Sequence, residues 1–142
     1  MTSRISAVKA YFQTYITAND SGKPLWVNYL EAEPVSYSIV PIGGNRKVST
    51  YIHGNSGERE FVFAFQSGRF TADDAERVGN IEFFESLAEW LDDQTEQNNL
   101  PTMPSGFNAL GIEALGDGYL FEQGESTTGV YQIQCRLEYS KS

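Results

Sequence analysis

A strict alternation near the C-terminal end constrains the fold more than any other feature of the chain. Tyr131, Ile133, Cys135, Leu137 and Tyr139 fall on one side of an extended backbone, and Gln132, Gln134, Arg136 and Glu138 fall on the other. Period two predicts a strand with one buried face, because a register slip of one residue would send every apolar side chain to water. Such a strand has to lie inside a sheet that is covered on one side. Upstream, Phe61, Phe63 and Phe65 alternate with Val62 and Ala64, which predicts a central strand buried on both faces.

Two stretches have the periodicity needed to cover that sheet. Ile5, Val8, Phe12 and Tyr15/Ile16 recur at helical spacing behind Ser3, a suitable cap, and the breaker cluster NDSGKP at 19–24 ends the pattern. In the second stretch Thr71 and Asp74 suggest a short-acid capping box, with a break near Gly79 and continuation through Gln97. Ile81, Phe84, Leu87/Ala88 and Leu91 form its core stripe, and Glu82, Glu85, Glu89, Asp92, Asp93 and Glu96 its charged flank. Phe83 and Trp90, seven residues apart, share a neighbouring face. Two uses are open to that face: contact with another subunit, or burial within the monomer.

The remaining elements read as strands and turns. Leu25, Val27 and Tyr29 alternate, as do Val35, Tyr37 and Ile39 after Pro34. GGNRK at 43–47 is a loop. VSTYIH at 48–53 and REFVFAF at 59–65 flank a glycine-bearing turn, predicting a hairpin. Pro101 and Pro104 hold a loop over 100–106. ALGIEAL at 109–115 suits either helix or strand, and the GDG turn at 116–118 favours strand. The expected order is α-β-β-β-β-α-β-β-β. It makes a single α+β domain over residues 1–142, with a mixed, mostly antiparallel sheet and two main helices packed on one face.

Composition narrows the function classes. At 142 residues the chain suits one domain, and 8 Tyr and 9 Phe supply an ample core. A net charge of −9 repels phosphate backbones, so direct nucleic-acid binding is not expected. There is no apolar run long enough for a membrane helix, and MTSRISAVKAYF lacks the pattern of a secretory signal. Cys135 is the single cysteine, which excludes an internal disulfide or a multi-cysteine zinc site. Its inward position in the alternation suits a small buried hydrophobe better than a nucleophile. The single histidine, His53, reads as a hairpin residue with no orienting partner at recognisable spacing. Glu85 and Glu89 read as a solvated helix face. No catalytic residue, metal ligand or cofactor site is expected.

The block IEFFESLAEWLDDQTEQNNLP…YLFEQGESTTGVYQIQCRLEY, with the upstream hairpin STYIHGNSGEREFVFAF, resembles small tail proteins of bacteriophages and prophages of Gram-positive bacteria. The likeness covers roughly residues 48–140, and the proteins concerned resemble tail terminator or minor tail proteins. The resemblance implies a compact α+β subunit that closes into a ring, commonly hexameric, at the head-proximal end of the tail tube. Its implied partners are copies of itself, the major tail tube protein and a head-completion protein. Its implied location is the host cytoplasm during assembly and then the virion tail. No binding residues carry over from that family. Arg46 and Lys47, two cations in a loop of an acidic chain, join Phe83 and Trp90 as candidate subunit-interface residues. The rival expectation is a small-molecule binding module with an aromatic pocket between helices and sheet. Acetyl transfer on chloramphenicol is not expected, because His53 stands in HGNSGE and lacks the HxxxDG pattern of such transferases.

Overall fold

The computed structural model describes residues 3–20, 23–43, 57–124 and 127–141. They form α1 (Arg4–Asn19), β1 (Leu25–Val27), β2 (Ser36–Gly43), β3 (Gly57–Phe70), α2 (Asp74–Glu96), β4 (Phe107–Ala114), β5 (Tyr119–Gln123) and β6 (Thr128–Lys141). The expected strand over 48–53, most of the loop over 43–47, and His53 lie outside the described residues.

The sheet has six strands in the order β1-β2-β3-β6-β4, and β5 also pairs with β6 beyond the end of β4. β1 runs parallel to β2; the other pairings are antiparallel, so the sheet is mixed. β3 and β6 are the long central strands and pair along their whole length, from Gly57↔Lys141 to Phe70↔Thr128. The alternation of β6 places Tyr131, Ile133, Cys135, Leu137 and Tyr139 in the core, as expected.

Both helices cover this same face. The Phe12 ring of α1 lies 5.5 Å from Phe63 and 5.3 Å from Phe65, and Phe84 of α2 lies 6.2 Å from Phe65 and 6.3 Å from Tyr131. Ring pairs at such separations add to the stabilisation from burial itself. β3 is not buried on both faces as expected. Its side chains turned from the helices include Glu58, Glu60, Val62 and Gln66, and only Ala64 among 58–66 is fully buried on that side. These positions meet the outward polar residues of β6: Gln66 donates to Gln132 at 2.9 Å, and Arg136 bonds Glu113 while lying 3.7 Å from Glu60 and 3.4 Å from Glu138. A face without a covering layer keeps its polar side chains.

Local chemistry sets the element ends. Ser3 caps α1 with a capping box shared with Ser6. β1 stops at Val27 because Asn28 takes a left-handed conformation, φ 55°, so Tyr29 leaves the alternation and is 59% exposed. The cap of α2 is Asp73, not Thr71 paired with Asp74. The Asp73 carboxylate accepts from the Glu76 amide at 2.8 Å, and Glu76 Oε1 in turn accepts from the Ala72 amide at 3.1 Å. Thr71 is instead buried at the end of β3. Asp73→Ala should cost about 1 kcal/mol of stability, seen as a lower urea midpoint with unchanged slope; an unchanged midpoint would show that the cap is dispensable.

α2 runs through Gly79 without a break, and its buried stripe is Asn80, Phe84, Leu87 and Leu91. Ile81, expected in that stripe, is exposed. The helix is rotated so that Asn80 can donate to the Phe70 carbonyl at 2.9 Å, which ties its first turns to the end of β3. At the other end of α2, Thr95 Oγ1 donates to the Ile112 carbonyl at 2.7 Å and accepts from the Ile112 amide at 3.1 Å. A side chain there satisfies backbone groups on the outer edge of β4 that would otherwise face solvent.

Candidate subunit interface

Phe83 and Trp90 are half-buried, and their rings pack within the monomer. Trp90 lies 5.0 Å from Tyr11 and 4.9 Å from Tyr15, both on α1. Phe83 lies 5.9 Å from Tyr15 and covers the guanidinium of Arg69, which stands 4.0 Å from its ring centre. The face shared by Phe83 and Trp90 is therefore the seam between the two helices. Arg46 and Lys47 lie outside the described residues, so the four candidates are not seen as one constellation.

Arg69 is a residue that sequence reasoning misses. It sits near the end of β3 on the helix-covered face, and its Nη2 donates to the Tyr37 hydroxyl at 3.2 Å. That hydroxyl donates to Asp20 Oδ2 at 3.0 Å, at the C-terminal cap of α1. Burial pulls the Arg69 guanidinium below its ordinary range, and the Tyr37 hydroxyl and Asp20 carboxylate oppose the shift. Its Nε has no hydrogen-bond partner among the described residues. The arrangement ties β3, β2, α1 and α2 together through one cation and holds Phe83 inward.

Burial also pushes the Tyr11 hydroxyl up to about 12 and raises Tyr15 and Tyr37. A raised phenol favours the protonated folded state. Its contribution is complete below the unfolded value, about 10, and is lost as pH climbs through the folded one. Thermal midpoints should therefore fall between about pH 10 and pH 12. Tyr11→Phe should flatten that decline, and a variant with the wild-type alkaline slope would rule Tyr11 out as a contributor.

Among the described residues, seven of the eleven large exposed apolar side chains lie toward the two edges of the sheet, and the other four, Ile42, Phe70, Val78 and Ile81, lie near the ends of β2 and β3 and on α2. Trp26 and Tyr29 lie on and after β1; Leu110, Leu115, Tyr119, Leu120 and Phe121 follow the run of β4 and β5. All five residues of β5 are exposed, and its partner among the described strands is β6 alone. Three consecutive apolar residues in GYLFEQ resemble a buried run, so nothing in the local pattern signals that this strand stands open.

These surfaces carry little reactive chemistry. Among the described residues, no group of three or more His, Cys, Asp or Glu is arranged to hold a metal ion. Cys135 is fully buried, and burial raises its thiol well above the usual range, which keeps it in the less reactive thiol form. No described helix is long and apolar enough to cross a membrane. No protein-family model matches the chain, and no curated protein is significantly similar to it.

Proposed function

We propose that the chain is a structural, non-enzymatic subunit of a phage or prophage tail. In this reading it is a terminator or minor tail protein that closes a ring at the head-proximal end of the tube. Its partners are further copies of itself, the major tail tube protein and a head-completion protein. It assembles in the host cytoplasm and stays in the virion tail. The resemblance over residues 48–140 supplies the family. The structural observation that supports the reading is that seven of the eleven large exposed apolar side chains among the described residues lie toward two opposite and different edges of one sheet. A contact between unlike surfaces, repeated by rotation, closes a ring. The edge of β5 that no described strand pairs offers backbone donors and acceptors for the same contact.

A small-molecule pocket between helices and sheet has less support, because that layer is packed ring to ring, with Phe65, Phe83 and Phe84 centred 5.3–6.4 Å apart. Native mass spectrometry across a concentration series tests the ring reading. A closed oligomer of fixed size is expected, and Leu120→Glu with Phe121→Lys should return it to a monomer that keeps the wild-type circular dichroism spectrum and whose thermal midpoint no longer rises with concentration. A wild-type protein that stays monomeric at every concentration and fails to associate with tail tubes would refute it.

A further inference from the structure

The outer surface of the helical layer carries a groove that the ring reading does not use. One part, of about 750 Å³, runs past Ala7, Ala10 and Tyr11, and a second, of about 530 Å³, runs past Tyr15 and Ala18. The two parts share Thr14, Trp90, Gln94 and Asn99, so they adjoin along the seam between α1 and α2. From Ala7 to Ala18 it extends about 16 Å along the α1 axis at 1.5 Å per residue. That is roughly three helical turns.

Its two walls differ in kind. On α1 the exposed positions along the groove are Ser6, Ala10, Thr14, Ala18 and Asn19, all uncharged and the first four small. Solvent-facing helix positions ordinarily carry long charged side chains, whereas small ones let another backbone come close. The floor is aromatic: Trp90 lies against Tyr11 and Tyr15, and the Tyr11 hydroxyl is held by the Asn99 carbonyl at 2.9 Å. On α2 the smaller part of the groove carries two acids, Glu89 and Asp93, beside Ser86 and Gln94, and the larger part is lined by Trp90 and Gln94. Glu82 and Glu85 are exposed earlier on the same helix, Asp92 and Glu96 line a separate hollow beside β4, and no Lys or Arg occurs between 78 and 96.

We propose that this groove docks a basic amphipathic helix of a different protein, with small apolar residues against α1 and Trp90, and Lys or Arg along the α2 side. Charge chooses the occupant. A second copy would bring its own acidic α2 toward this one, and phosphate-bearing partners would be repelled by the same wall. A helix with an apolar face and a cationic flank satisfies both walls, as in other helix-in-groove complexes, and the charge pattern fixes its orientation. This assignment does not depend on ring formation, since the sheet edges and the groove are separate surfaces.

The test uses the full chain and two synthetic helix-forming peptides, each with one Ala/Leu face. One carries Lys on the flank, and the other carries Glu at the same positions. Amide shifts are followed by NMR. The Lys peptide should give saturable shifts over residues 6–18 and 86–102 and bind at least tenfold more tightly than the Glu peptide. Glu89→Lys with Asp93→Lys should reverse that preference. Ala10→Arg, at an exposed position, should abolish binding while the strand amides keep their shifts. Equal binding of both peptides, shifts mapped elsewhere, or no saturable shift would overturn the proposal. Groove shifts that change with protein concentration alone would give the site to a second copy and overturn it equally. The oligomer mass bears on the ring reading alone, so the two can fail separately.

Discussion

Ile133→Asp is expected to leave the protein without a cooperative thermal transition. Ile133 is fully buried on β6, a strand paired on both sides, and stands opposite Phe65 in the β3 register. The substitution removes an aliphatic side chain and places a carboxylate in an apolar, largely aromatic core. An unpaired buried charge costs several kcal/mol beyond the lost packing, against a total stability of roughly 5–15 kcal/mol for a domain of this kind. The neighbouring Gln134 points the other way and is exposed. Gln134→Asp should therefore melt within a few degrees of wild type. If circular dichroism shows both variants folded and equally stable, the face assignment of β6 is wrong.

Gly118→Ala is expected to be the most damaging glycine substitution among those near the helices. A Cβ at this position would lie 2.4 Å from Phe84 Cβ and 2.5 Å from its Cγ; the Phe84 Cβ cannot move without moving α2, and the ring beyond it is buried in the core. Its backbone conformation is not the obstacle; the missing volume is. Overpacking of this kind costs about 1–3 kcal/mol. Gly116, two residues earlier, provides the control, because a methyl group added there would meet nothing within 4 Å. Gly116→Ala should be close to neutral. Combining Gly118→Ala with Phe84→Ala should give a total loss smaller than the sum of the two, because the substituted positions are in contact. Equal midpoints for Gly116→Ala and Gly118→Ala would remove Phe84 as the cause.

Legibility in the sequence follows the range of the forces involved. The face of β6, the Ser3 cap and the strand over 109–115 all rest on neighbours within a few residues or on simple alternation. The phase of α2 does not. Ile81 is the more apolar of two adjacent positions, yet Asn80 turns inward because the Phe70 carbonyl waits for its amide, a partner set by tertiary structure. The even face of β3 misleads for a related reason: Val62 and Ala64 suggest a second covering layer, and Glu58, Glu60 and Gln66 around them mark its absence. For the candidate site, a spacing of seven correctly groups Phe83 with Trp90 but cannot say that α1 covers them. Arg69 is invisible as an interior cation, since nothing beside it in sequence announces Tyr37, Asp20 or the Phe83 ring.

The paired bonds between Thr95 and Ile112 bear on how far this sheet can grow. A strand edge invites the next strand, from a neighbour or from a misfolded copy, wherever its amide and carbonyl are free. At the middle of β4 that invitation is already answered by a hydroxyl belonging to the same molecule. Any strand added on this side of the sheet is thereby steered away from the middle of β4 and toward β5, whose outer edge no described strand pairs. One threonine at the end of a helix thus protects part of the sheet's outer edge.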